Sequence, residues 1–208
     1  MRRKIVVVMV IVSFVIGSAV WGTDFRIGLK AGTDLDFIGG RDFLIDLNEL
    51  DDSDDARTES KWGFSGGVYF IIGLSEILSI QQEVLYSMFG GNYFYTSSGQ
   101  DVTGWQVAHV LEVPVLLRAQ MPLASGTLFA FAGPNAIFFL GDESDVSTQS
   151  PTQPAVLGLS VGLGYEFPVG GAILSIDLRA TATLTEIIRQ SDYRLITMYL
   201  LVGYGLPF

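Results

Sequence analysis

Residues Leu157 to Phe167 read LGLSVGLGYEF. Successive side chains of an extended chain point to opposite sides. Leu157, Leu159, Val161, Leu163, Tyr165 and Phe167 therefore share one face, against Gly158, Ser160, Gly162, Gly164 and Glu166. An amphipathic helix would repeat its apolar positions at three and four residues, so this period of two specifies a strand. One face carries nearly all of the bulk, and its partner face is mostly small.

The same alternation runs through the chain. In Asp24 to Gly32, Phe25, Ile27, Leu29 and Ala31 oppose Arg26, Gly28 and Lys30. Lys61 to Ile72 sets Trp62, Phe64, Val68, Phe70 and Ile72 against Gly63, Ser65, Gly67 and Tyr69. Leu78 to Met88 sets Leu78, Ile80, Val84, Tyr86 and Met88 against Ser79, Gln81, Glu83 and Ser87. Trp105 to Gln120 places Leu111, Val113, Val115 and Leu117 opposite Glu112, Pro114 and Arg118. Leu174, Ile176 and Leu178 alternate with Ser175, Asp177 and Arg179, and the chain ends on Leu200, Val202, Tyr204, Leu206 and Phe208 against Gly203 and Gly205. Thr127 to Leu140 is apolar on both faces, a pattern that a buried strand and a buried helix share.

Eight strands result, and their connections alternate in length. Short links near Gly73 to Glu76, Pro122 to Gly126 and Pro168 to Gly171 join strands 2–3, 4–5 and 6–7. Longer polar stretches join 1–2, 3–4, 5–6 and 7–8, the longest being the acidic run from about Asp34 to Ser60. Tight turns at one end and long loops at the other describe an up-and-down antiparallel sheet.

The distribution of bulk decides which face meets the surroundings. A soluble ligand-binding barrel would turn its large apolar residues inward. Eight strands enclose little room, which suits Gly, Ser and Ala inside. Large aliphatic and aromatic residues suit a lipid face, and closure leaves no unpaired backbone edge in hydrocarbon. Only 16% of residues are charged, against about 25% in an average soluble chain. The expectation is an all-β, eight-stranded antiparallel up-and-down transmembrane β-barrel. Trp62, Trp105, Tyr165, Phe167, Tyr204 and Phe208, near strand ends, are expected to form its interfacial girdles.

Arg2, Arg3 and Lys4 precede an apolar run from Ile5 to Ile16, and Val20 and Gly22 place small residues before Thr23. This is the layout of a secretory signal peptide, giving a leader at 1–22 and a barrel domain at 23–208. The run is short for the roughly 20 residues of a spanning helix. Of 12 Lys and Arg, three lie in the leader, which leaves nine against 22 Asp and Glu. That balance argues against nucleic acid as a partner. The chain has no Cys, so the exported fold uses no disulfides.

Parity places Arg26, Lys30, Glu83, Glu112, Arg118, Glu166, Asp177 and Arg179 on the inward face. Acids and bases in one narrow lumen are expected to pair, because an unpaired buried charge is expensive. A structural network that plugs the barrel is the favoured reading, and a selectivity lining for a narrow porin-like diffusion channel is the alternative.

Several stretches resemble a small bacterial outer-membrane β-barrel family, the porin-like or PorT-like outer membrane protein β-barrel domain. HVLEVPVLLRAQ (His109 to Gln120) resembles the family's YLEIPLLLK strand, and LFAFAGPNAIFFL its Ala-Gly-Pro strand. LGLSVGLGYEF resembles a Gly-alternating strand before a tight turn, and LSIDLRATATLTEI its Asp-x-Arg strand. The resemblance covers most of residues 23–208. It implies a barrel in the cell outer membrane with outer-membrane lipids as surroundings, exposed long loops, and a last strand read by the barrel-assembly machinery. In this chain that signal would be Val202, Tyr204, Leu206 and Phe208. Pro207, beside the final aromatic, departs from the polar or basic residue more usual there.

A catalytic constellation is not evident. His109 is the one histidine, and parity puts it on the lipid-facing side without the neighbours that a triad requires. A lipid-modifying barrel enzyme therefore ranks below a non-enzymatic protein. The acidic stretch DLNELDDSDDARTE lacks the spacing of a calcium loop and reads as a solvated charge run. No metal or other cofactor is expected, and the barrel is expected to be a monomer with a structural or surface-interaction role.

Overall fold

The computed structural model describes residues 25–39, 57–97, 100–144, 154–185 and 194–208. They form eight strands: β1 Phe25–Gly39, β2 Arg57–Gly73, β3 Leu78–Ser97, β4 Gln100–Leu123, β5 Gly126–Ser144, β6 Ala155–Val169, β7 Ala172–Thr183 and β8 Arg194–Pro207. Each pairs antiparallel with its sequence neighbour, and β8 pairs with β1 to close the barrel. Closure satisfies the backbone of every strand on both sides, the condition for a sheet to cross a bilayer.

The turn end of the barrel is made by Leu74–Ile77, Ala124–Ser125 and Gly170–Gly171. Gly170 has φ 63, a left-handed conformation that glycine takes without steric penalty in a two-residue hairpin. At the β2–β3 turn, Leu74 N donates to Leu78 O at 2.8 Å, and Leu78 N donates to the Ser75 hydroxyl at 3.1 Å. Both chain termini of the described barrel lie at this end, where Phe208 N donates to Phe25 O at 2.9 Å.

The outer face is the bulky one. Leu29, Trp62, Leu117, Leu157, Leu159, Val161, Leu163, Leu178, Met198, Leu200 and Val202 are all exposed. Trp62 and Trp105 lie toward the loop end, and Tyr165, Phe167 and Phe208 toward the turn end. Lys61 Nζ sits 5.1 Å from the Trp105 ring centroid, and the Tyr165 hydroxyl is 2.8 Å from that of Ser125.

Three features differ from the expectation. The β3–β4 connection is not a long polar loop. Both strands continue to Ser97 paired with Gln100, so β3 has 20 residues and β4 has 24. The alternating, aromatic stretch around Tyr93, Phe94 and Tyr95 has the residue types that favour extended pairing. Second, Asp34 and Asp36 belong to β1 and are buried inside the barrel, not in the acidic connection. The rest of that connection, 40–56, lies outside the described residues.

Third, the interior is not filled by small residues alone. Phe89, Val110, Ile137, Val156, Leu195, Tyr199 and Leu201 form one buried cluster, and Leu116, Phe129 and Phe131 another. The rings of β5 explain how bulk fits: Phe131 lies over Gly162 and Phe129 over Gly164, where a methyl group would overlap them. The glycines of β6 are thus the complement of the phenylalanines of β5. Two prolines interrupt the ladder in this region without changing the register. β3–β4 pairing is missing between Gln82–Val115 and Leu85–Glu112, and β4–β5 pairing between Pro114–Asn135 and Leu117–Ala132. Pro114 and Pro134 lack the N–H that a ladder needs.

Candidate functional site

The lumen collects charged residues of five strands, β1, β3, β4, β6 and β7, into layers. At the turn end, Arg118 (β4) grips Glu166 (β6) with both terminal nitrogens, Nη1 to Oε1 and Nη2 to Oε2, each at 2.7 Å. Arg26 (β1) adds Nη1 to Oε1, also at 2.7 Å. Two guanidinium groups therefore share one carboxylate. The Arg118 guanidinium also lies 3.8 Å from the centroid of the Phe129 ring, an arrangement in which the ring face attracts the cation.

The next layer balances two acids with two bases. Arg179 (β7) forks onto Glu83 (β3), Nη2 to Oε1 and Nη1 to Oε2, both at 2.8 Å. Lys30 (β1) bridges Glu83 and Asp177 (β7) with Nζ 2.8 Å from each. Gln81 donates its amide to the same Glu83 oxygen. All four charged side chains are buried. Fork-and-carboxylate geometry is the strong form of a charge-assisted hydrogen bond, and it satisfies several polar atoms at once.

Toward the loop end the chemistry changes to carboxylates held by neutral donors. Glu112 accepts from Ser87 at 2.6 Å, from Asn135 at 2.6 Å and from the Tyr199 hydroxyl at 3.1 Å. Asp34 accepts from Ser65, and Asp36 from Thr197 at 2.7 Å and from Gly90 N at 2.8 Å. None of the three makes an ion pair with a described residue. Phe89, Val110, Ile137, Val156 and Leu195 pack beyond them.

All eight charged positions selected by parity thus line the lumen. Seven of them fall into two ion-paired layers, while Glu112 stands apart in the hydroxyl layer. Sequence reasoning missed Asp34 and Asp36, because an acidic run resembles a loop. It also missed Asn135 and Tyr199, and the layering itself, since those depend on register across strands. The signal available for Asp34 and Asp36 was their parity with Arg26 and Lys30.

On the outer wall, Val202, Tyr204, Leu206 and Phe208 are exposed. Phe208 and Phe25 hold their ring centroids 6.3 Å apart across the closing seam. His109 also lies on the outer side, its Nδ1 2.6 Å from the Tyr86 hydroxyl and its ring stacked on Tyr86. That bond pairs two polar groups of the outer wall with each other. Among the described residues no cluster of His, Asp and Glu has the geometry to hold a metal ion.

A family model described as outer membrane protein beta-barrel domain matches residues 19–189. No curated protein sequence matches the chain. Among solved structures, it is similar to the outer membrane protein OprG from Pseudomonas aeruginosa. That match has 13% identity over 89% of this chain and 96% of the other, with a TM-score of 0.55. Neisserial surface protein A is similar at 12% identity over 88% and 97%, also with a TM-score of 0.55. At such identities the likeness concerns the fold alone.

Proposed function

The chain belongs to the outer membrane protein β-barrel domain family, and from that premise we propose a non-enzymatic barrel with a closed lumen. It serves a structural or surface-interaction role through its loop end. The protein is an integral outer-membrane β-barrel whose exposed apolar wall faces lipid.

The observation that carries the closed reading is the buried ion-pair layer. Lys30, Glu83, Asp177 and Arg179 come from β1, β3 and β7, so their contacts reach across the lumen and not merely along one wall. Moving any member aside for a solute would leave a charge buried without its partner, which costs several kcal/mol, of order 3–5. A small barrel filled in this way acts as a scaffold for its loops. Residues 1–22 direct export and are removed, the last strand is read by the barrel-assembly machinery, and the mature protein is a monomer.

Planar-bilayer recording of the refolded protein tests the closed lumen. No conductance steps are expected under an applied voltage. A stable open level would replace this reading with the narrow channel. An unchanged lipid profile on comparing His109→Ala with the wild type is expected for a barrel without lipid-modifying activity.

A further inference from the structure

The turn-end layer holds one positive charge more than its described partners neutralise, since Arg26 and Arg118 share the single carboxylate of Glu166. Its hydrogen-bond donors are also in surplus. Arg26 Nε, Arg118 Nε, the Tyr69 phenol and the Ser79 hydroxyl are buried and have no hydrogen-bond partner. Tyr69 and Ser79 are each only 1% exposed. Buried polar groups are nearly always paired, so four orphans around one charge centre call for an explanation. Further orphans lie nearer the loop end and are of both kinds: the acceptors Asp34 Oδ1, Glu83 Oε2, Asn135 Oδ1 and Asp177 Oδ1, and the donors Arg179 Nε and Nη1, of which Nη1 and Glu83 Oε2 are an ion-pair contact of 2.8 Å. The excess at the turn end is therefore specifically one of donors.

The groups converge. A methyl group on Gly205 would meet both the Tyr69 hydroxyl and the aliphatic stem of Arg26, so these two side chains fill the space that glycine leaves. Gly28 similarly leaves room for the Tyr69 ring. Ser79 is the cross-strand partner of Arg118. The Arg26 side chain is 18% exposed, which places it at the mouth, within reach of solvent beyond the turns. In outer-membrane barrels the short turns face the periplasm.

We infer that Arg26, Arg118, Tyr69 and Ser79 form a binding site for one small oxyanion, a phosphate or carboxylate group, entering from the periplasmic mouth. Guanidinium and hydroxyl donors suit that chemistry, and planar Arg forks match its paired oxygens. The oxyanion accepts from the unpaired donors and offsets the excess charge, while Glu166 keeps the two arginines at the distance of one shared partner. The group is either a free periplasmic anion or the phosphate of an inner-leaflet lipid.

The test uses the folded barrel in maltoside micelles, which carry no phosphate. The Arg Nε–H resonances are followed by NMR as sodium phosphate replaces chloride at constant ionic strength, with acetate as a second titrant. Saturable shifts of the Arg26 and Arg118 signals are expected with at least one titrant. Tyr69→Phe removes an unpaired hydroxyl without removing a contact, so the barrel keeps its fold and binding weakens about tenfold, the worth of one hydrogen bond to a charged group. Arg26→Gln abolishes the saturable response. Shifts no larger than the chloride control, or an affinity unchanged in both variants, would overturn the site. In phosphatidylglycerol vesicles, resonances already displaced before phosphate is added assign the occupant to lipid, and displacement only on addition assigns it to the soluble anion.

Discussion

Glu83 is the most heavily used side chain in the lumen, accepting from Lys30, Arg179 and Gln81 at one oxygen and pairing with Arg179 at the other. Replacement by Gln keeps its shape and removes the charge that two buried cations require. Glu83→Gln is expected to destabilise the barrel by about 3–5 kcal/mol, read as a lowered urea midpoint in lipid vesicles. Arg179→Lys should recover less than a conservative change suggests, because one ammonium cannot fork onto both oxygens. Glycine is constrained as tightly. A methyl group at Gly162 meets the Phe131 ring and the carbonyl of Leu178, so Gly162→Ala is expected to cost about 1–3 kcal/mol. Adding Phe131→Leu should restore only the part due to the ring. At this scale the sequence was readable by parity, which placed eight charges inside. It misled at Asp34 and Asp36, where local acidity resembled a loop, and it left open the face of Phe129 and Phe131, large side chains that enter opposite glycines of another strand.

Strands were legible wherever one face was apolar and the other small, as in β6, and less so where both faces were apolar, as in β5. The β3–β4 hairpin was hidden because polar residues interrupt its alternation while its backbone stays paired to Ser97 and Gln100. β8 illustrates an element whose ends matter separately. Its register carries Gly205 opposite Gly28 and Leu206 opposite Ile27, and Phe208 adds a backbone bond and a ring contact to Phe25. Those last contacts are peripheral to a seam that already runs from Arg26–Pro207 to Gly39–Arg194. Deleting Phe208 is therefore expected to change folding in detergent little. If the assembly machinery reads the terminal aromatic, insertion in cells should fall much further, measured as the heat-modifiable folded fraction in the outer membrane. Equal losses in both measurements would reduce Phe208 to a packing residue.

Closure and layering belong to the whole molecule. They arise because pairing registers bring Lys30, Glu83 and Asp177, widely separated in sequence, within 2.8 Å contacts. Parity along one strand names a face but gives no height, so no single segment reveals which charges meet. Beyond the turn-end layer of Arg118 and Glu166, the resulting lumen has two further obstacles in series: the layer of Lys30, Glu83, Asp177 and Arg179, and the apolar cluster of Phe89, Val110, Ile137, Val156 and Leu195 nearer the loops. They predict a graded opening. Glu83→Ala with Arg179→Ala removes one acid and one base, leaving Lys30 and Asp177 paired and the layer neutral. Water then has room at that height, but apolar constrictions exclude ions by remaining dry. The double variant is expected to stay silent in planar bilayers. Adding Phe89→Ala and Leu195→Ala removes bulk from the second obstacle, and Arg118→Ala with Glu166→Ala clears the turn-end layer; conductance steps are expected only when all three are opened. Current through the double variant alone would show that the ion pairs close the barrel unaided, and would move the apolar cluster from barrier to packing.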